Sequence, residues 1–283
     1  MPSEAMYNSE IARRQEWLHR ESQSSISESC LDMSSQKGAT IYLMHCFMWY
    51  PYGHFFDTMQ RIFHIPDEIH IPSSRFLICE STSRVTSFMD HLNTFGVNAD
   101  QLQVVPRGYE SIKVSNLIVP NSVAEPSQYT TDSINRTRDL YLHSNLLMSM
   151  EKCLAISCLF EKKLALILDR SSTGSRYIAN QDQVVSALEK MNYHCIVLTG
   201  GEPFELMLFL FSRADLVFSP HGSMMINTIF CPENCTVIEA IPKDRLTLHF
   251  VRQCKPASHS AFVIDSGESN VMSFNPEWLE EVI

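Results

Sequence analysis

Three stretches of this sequence carry side chains able to do chemistry. Asp169-Arg170-Ser171-Ser172-Thr173-Gly174-Ser175-Arg176 gathers two guanidinium groups, four hydroxyls and a glycine into one loop. Such a loop offers many donors to an anion and lets backbone N–H groups come close. His221-Gly222-Ser223 is a small polar loop between the apolar run Leu216-Val217-Phe218 and a stretch bearing Met224, Met225, Ile226, Ile229 and Phe230. Strand, glycine-containing loop, helix is the order in which open α/β sheets bind anionic ligands. The third stretch, Gly53-His54-Phe55-Phe56-Asp57, opens a helical pattern in which His54 and Asp57 lie about a turn apart, as neighbours on the helix surface. Each has a plainer reading. The arginines can be solvated loop charges, His221 a helix-start residue bonded to backbone, and Asp57 an acid favoured by the helix dipole.

The constellations that are missing narrow the choice. There is no Gly-x-x-x-x-Gly-Lys-Ser/Thr loop, no Gly-x-Gly-x-x-Gly, no Gly-x-Ser-x-Gly and no His-Glu-x-x-His. Nor is there an Asp-x-Asp pair to hold a divalent ion beside a diphosphate. The expectation is therefore metal-free diphosphate binding, with arginines and a helix N-terminus neutralising the charge and no cofactor.

The elements that must position these groups alternate strand and helix. Residues 1–37 read as a Ser-rich, flexible lead-in. Strand-like runs follow at Ile41 to Met44, Phe76 to Cys79, Leu102 to Val105 and Leu117 to Val119, with a helix from Ser83 to Phe95 stopped by Gly96. Residues 38–138 make a first α/β half. A helix over 139–160, with Leu142, Leu146, Met150, Leu154 and Cys158 near helical period, connects it to a second half over 161–283. There, Leu164 to Leu168 is a strand, and Asn180, with Gln183 placed as in a capping box, caps the next helix. Ile196 to Leu198 is a strand, Gly200-Gly201 a turn, and Pro203 starts a helix. The strand at Leu216 is expected to stop at Ser219-Pro220, because proline cannot donate to a ladder. Asp215 reads as a structural cap or pair. Thr236 to Ala240 and Ala261 to Ile264 are the last strands, before a polar tail. The fold class is α/β, two Rossmann-like halves facing a cleft.

Composition agrees with a packed protein. The 283 residues are 45% hydrophobic and only 19% charged, enough for one large domain or two modest ones. A formal net charge of -10 argues against nucleic acid or an anionic membrane as partner. Nine cysteines at irregular spacings give no disulfide framework; Cys231 and Cys235 flank a turn and read as a pair or as buried thiols. With no signal peptide and no membrane-length apolar run, the chain as written reads as soluble and cytoplasmic, or as lumenal to the endoplasmic reticulum or Golgi if it is a fragment.

Two segments together, LALILDRSSTGSRYIANQDQVVSAL and FSRADLVFSPHGSMMINTIFCPENCTVIEAIP, resemble glycosyltransferase family 61. The resemblance rests on Arg170, Arg176, Asn180, Asp182, Ala214, Asp215, His221, Gly222 and Ser223, with Asn227 and Glu239 downstream and, less closely, His54 and Asp57 upstream. Many members carry a second glycine after the His-Gly pair and its small residue, where this chain has Met224. The resemblance implies a GT-B arrangement and inverting transfer of a hexose or pentose from a nucleotide-sugar, expected to be UDP-linked, to a protein or polysaccharide hydroxyl. It further implies that Arg170, Arg176, His221, Gly222, Ser223, Asn227 and Glu239 bind the nucleotide-sugar, with Glu239 on the ribose, and that Asp57 or His54 is the base. Two other readings stay open: a catalytically silent glycan- or nucleotide-binding relative, and a different nucleotide-binding α/β enzyme such as an epimerase.

Overall fold

The computed structural model describes residues 30–35, 38–43, 61–65, 67–83, 88–106, 111–120, 131–144, 147, 162–242, 250, 258–264 and 271–283. His54 and Asp57 lie outside the described residues. The described residues up to 120 form one compact unit and those from 131 onward another.

The first unit holds strands β1 (Cys30–Asp32), β2 (Thr40–Tyr42), β3 (Arg75–Cys79), β4 (Leu102–Val105), β5 (Ser111–Lys113) and β6 (Leu117–Ile118), with short helices α1 (Glu80–Ser83) and α2 (Phe88–Thr94). Its main sheet is parallel, in the order β4-β3-β2-β6. The central run Phe76-Leu77-Ile78 is fully buried, as a strand covered on both faces must be. After α2 the chain reverses at Gly96, whose φ of 77° is the left-handed conformation that ends helices. Part of the expected lead-in is ordered: β1 pairs in parallel with β5, and Met33 packs with Leu77 and Val105. Leu31 and Met33 supply the apolar side chains that tie down this otherwise polar segment.

The second unit begins with α3 (Thr131–Leu142), eight residues earlier than the pattern of leucines suggests. The chain turns at His143 and Ser144, where Ser144 Oγ donates to Tyr141 O, so no continuous helix spans 139–160. Buried Tyr141 fixes α3 by stacking edge-on to Phe204 and Phe230, with ring centroids 5.6 and 5.1 Å away. Such aromatic pairs add about 0.5–1.5 kcal/mol each beyond their burial.

Strands β7 (Lys163–Leu168), β8 (Tyr177–Ile178), β9 (Tyr193–Leu198), β10 (Leu216–Pro220), β11 (Thr236–Pro242), β12 (Ser258–Ile264) and β13 (Val271–Met272) follow, with helices α4 (Gln181–Lys190), α5 (Phe204–Phe211) and α6 (Leu279–Val282). Five of these strands form a parallel sheet in the order β9-β7-β10-β11-β12. The chain runs outward from β7 to β9 and then crosses back to β10. The direction of winding therefore reverses between β7 and β10, and in such sheets the crevice above that reversal is where ligands bind.

One face of the sheet packs Ala165, Ile167, Leu216, Phe218, Ile238 and Ala240 against Val184 and Leu188 of α4 and against Met272 and Leu279. The last two correct the expectation of a polar tail. Pro276 to Trp278 form a 3-10 turn leading into α6, and Phe274 stands 5.3 Å from both Phe218 and Trp278. Asn180 occupies the N-cap position of α4, yet its side chain does not cap the helix. Its amide group instead exchanges two hydrogen bonds with the backbone of Phe274: Nδ2 donates to the carbonyl and Oδ1 accepts from the N–H. A residue expected to serve its own helix joins two distant segments.

Pro220 also differs from expectation, because β10 runs through it in register with Ala240. His221 N donates to Ala240 O, which turns the odd-numbered residues of this stretch towards β11. The N–H that Pro220 lacks falls on the other side, where pairing with β7 has already ended at Phe218.

Among the described residues, no helix is long and apolar enough to cross a membrane.

Candidate functional site

The site grows from the carboxyl ends of β7, β10 and β11. Beyond β7, Asp169 organises the loop: its carboxylate accepts from Ser171 N at 2.8 Å and Ser171 Oγ at 2.7 Å. Ser171–Thr173 then form a 3-10 turn closed by Gly174, with φ 62°. The expected donor hydroxyls are thus partly spent on shaping the loop, since Thr173 Oγ1 donates to Arg170 O.

Arg170 leaves β7 and lays its guanidinium on Gly222, at the end of β10. A Cβ built on Gly222 would stand 2.9 Å from Arg170 Cζ and closer still to Nη1. Gly222 has φ 179°, an extended conformation open to any residue. Glycine is needed here for the approach of the arginine, and not for the backbone. Arg170 Nε is buried and has no hydrogen-bond partner among the described residues. Removal from water pushes the pKa of this guanidinium down, though an arginine so far above neutrality keeps its charge. A charged donor group without a partner, held at the switch-point crevice, suits an anion.

Arg176, expected beside Arg170, stands at the far end of the same loop, just ahead of β8. It holds a left-handed φ of 56° that costs a non-glycine residue about 1–3 kcal/mol. Both arginines belong to the loop, but it is Arg170 that meets His221-Gly222.

His221 is set by its surroundings. Its Nδ1 lies 2.6 Å from Glu239 Oε1, its side chain is 13% exposed, and that of Glu239 is 0% exposed. The ring of Phe250 packs 5.1 Å from the imidazole. Glu239, expected on the ribose, is closed off from solvent and engaged with His221. Asn227, expected on the nucleotide-sugar, is 1% exposed, and its Nδ2 donates to Met224 O within its own helix.

Ser223 begins the segment after the loop, which is a 3-10 helix over Ser223–Phe230 where an α-helix was expected. Met224 rests its thioether against Gly200 in the turn after β9; a Cβ there would stand 3.2 Å from the sulfur. Gly200 has φ 88°, and Glu202 fixes that turn by accepting from Thr199 N and Gly200 N at 2.8 and 2.7 Å. Burial alone would raise the Glu202 pKa, but these bonds outweigh it and hold the carboxyl below its usual range.

Asp215 is structural, as expected: its Oδ2 accepts from Leu164 N at 2.8 Å and pins the start of β7 to that of β10. Cys231 and Cys235 are both buried. Among the described residues, no cluster of histidine, cysteine or acidic side chains is able to hold a metal ion. Sequence reasoning missed Phe250, which stands far from any motif, and it missed the Arg170–Gly222 contact, whose only trace is a glycine following a histidine.

Comparison with known proteins adds to this geometry. The chain is 26% identical over 143 residues to beta-1,2-xylosyltransferase XAX1 of Oryza sativa subsp. japonica, an alignment covering 48% of this chain and 24% of the relative. The chain thus spans about a quarter of that protein's length. The family model described as Glycosyltransferase 61 matches residues 52–238, more than half of the sequence and all of β7 to β10 with their loops. The chain therefore belongs to glycosyltransferase family 61.

Proposed function

We propose that this protein is a glycosyltransferase that moves a sugar from a nucleotide-sugar, UDP-linked, to a hydroxyl of a glycan or glycoprotein, with inversion and without a metal ion. The observation that carries the reading is the half-buried Arg170 guanidinium, its Nε closed off from solvent, on Gly222 at the switch point of a parallel sheet. A diphosphate seated there meets Arg170, the imidazole of His221 and the first N–H groups of the Ser223 helix. Arg176 lies on the same loop and serves the same ligand.

In the transfer, the acceptor oxygen forms a bond to the anomeric carbon as the bond from that carbon to the β-phosphate oxygen breaks. The departing electron pair comes to rest on the nucleoside diphosphate, where the cationic groups stabilise it. The acceptor proton passes to a base; His54 and Asp57, in the first half of a GT-B-like pair, are the candidates. The rice relative is described as a xylosyltransferase, so UDP-xylose heads the donors to try.

The test is a thermal-shift screen with UDP, GDP and CMP sugars, followed by transfer assays in EDTA. A ligand at a hundred times its Kd stabilises the native state by about 2.7 kcal/mol. UDP sugars should raise the Tm and turn over without metal. Absence of any shift with all nucleotides would overturn the reading, and UDP binding without transfer to any acceptor would favour a silent relative.

A further inference from the structure

We infer that Glu239 is a positioning residue, whose buried carboxylate orients His221 so that Nε2 is the nitrogen presented to the departing diphosphate. The inference rests on the proposed function for what His221 touches, but the arrangement itself is in the fold. A fully buried carboxylate is costly unless it is paired and hydrogen-bonded. Glu239 is 0% exposed on β11, and its Oε1 sits 2.6 Å from Nδ1 of His221 on the neighbouring strand's loop. Because β10 and β11 hold Ser219 opposite Glu239, the carboxylate lies two residues back from His221 in register and reaches forward to it.

In the proposed arrangement the carboxylate is ionised and only accepts, and Nδ1 is the ring nitrogen that donates to Glu239. That settles the division of labour between the two nitrogens, since Nε2 alone remains for a ligand. Phe250, packed on the ring at 5.1 Å, and the backbone bond from His221 N to Ala240 O remove the remaining freedom of the side chain. An imidazole held in this way is a preorganised donor, and preorganised donors gain most where charge builds up during reaction. When the anomeric carbon leaves the β-phosphate oxygen, negative charge grows on that phosphate and the Nε2–H bond strengthens with it. Glu239 touches neither substrate nor reacting atoms in this proposal, and it acts on the reaction by way of His221.

The isosteric variant Glu239→Gln tests this, because a neutral amide can accept from or donate to Nδ1 and so no longer enforces one orientation. We expect kcat to fall about ten- to a hundredfold, less than the roughly 10²–10⁴-fold carried by a preorganised donor or general acid itself because Glu239 acts through one, while KM for the donor changes less than threefold. In the His221→Gln background the same substitution should cost no further turnover, the non-additivity expected of residues that act as one unit. Additive losses, or an unchanged kcat with a lower Tm, would overturn the inference and leave Glu239 a purely structural partner. The imidazole 15N resonances of His221 give a reading independent of turnover. The wild type should show protonated Nδ1 and an Nε2 signal that moves when UDP is added; an Nε2 signal indifferent to UDP, or a tautomer unchanged by Glu239→Gln, would count against it. A chain without transfer activity for any donor sinks the proposed function, and the resonance test then still decides the positioning of His221.

Discussion

The guanidinium of Arg170 occupies the space that a side chain on Gly222 would fill, so that a cation from the loop after β7 is seated on the strand end of β10. Gly222→Ala is the direct probe of that contact. Its extended backbone admits alanine without strain, and the atom in the way belongs to a flexible side chain, so the protein should fold with a Tm within a few degrees of wild type. Arg170 must move aside, however, and UDP affinity measured by calorimetry should drop about ten- to a hundredfold, the value of a hydrogen bond to a charged group.

Arg170→Lys should not rescue Arg170→Ala. A lysine keeps the charge but presents a hydrated point in place of a planar fork able to lie flat on a glycine. Both variants should lose UDP binding to within a factor of about three of each other, a spread under 1 kcal/mol. Recovery of wild-type affinity by lysine would show that charge alone is at work there.

Asp215→Ala should separate stability from ligand binding. The substitution strips Leu164 N–H, at the buried start of β7, of its acceptor, a loss of about 1–3 kcal/mol. Thermal unfolding should shift down by several degrees while the Kd for UDP stays within twofold. A selective loss of UDP binding would assign Asp215 to the site.

Acid should weaken the first unit before it disturbs the second. His91 is almost wholly buried, and removal from water holds its pKa well below the ordinary 6.5. Between those two values the unfolded chain binds a proton that the folded chain does not, so stability is complete above about pH 6.5 and declines as pH falls below it, by up to about 1.4 kcal/mol per pH unit. Glu202 acts in the same direction lower down, its stabilisation lost as pH falls below 4.5. Unfolding curves of His91→Leu should show a flatter dependence between pH 6.5 and 5 than the wild type; an equally steep slope would exclude His91 as its source.

Much of this molecule was legible from residue patterns. Continuous apolar runs such as Leu164 to Leu168 can only be strands covered on both faces, and the alternation of strand and helix made a parallel sheet the natural solution. Arg170 and His221 could be paired because both follow such strands. The errors share a physical cause, namely tertiary partners invisible in local sequence. Asn180 has the residue type and spacing of a helix cap, yet the distant backbone of Phe274 takes its side chain. The neighbour of Glu239 was equally hidden, since its carboxylate meets the His221 ring from the adjacent strand. Pro220 stays within β10 because the neighbour it would have served has already ended. Cys30–Asp32 is a strand only by virtue of Ser111–Lys113, eighty residues on.

Residues 271–283 supply Met272 and Leu279 to the core of the second unit, pair β13 with β8 and engage Asn180 at the head of α4. The consequence concerns biogenesis. One face of the five-stranded sheet is covered only in part, by α4, until these residues have emerged from the ribosome, so the unit carrying Arg170 and His221 cannot complete its packing during translation of the earlier strands. A nascent chain stalled before residue 271 should expose that face to chaperones, however well its strands have paired.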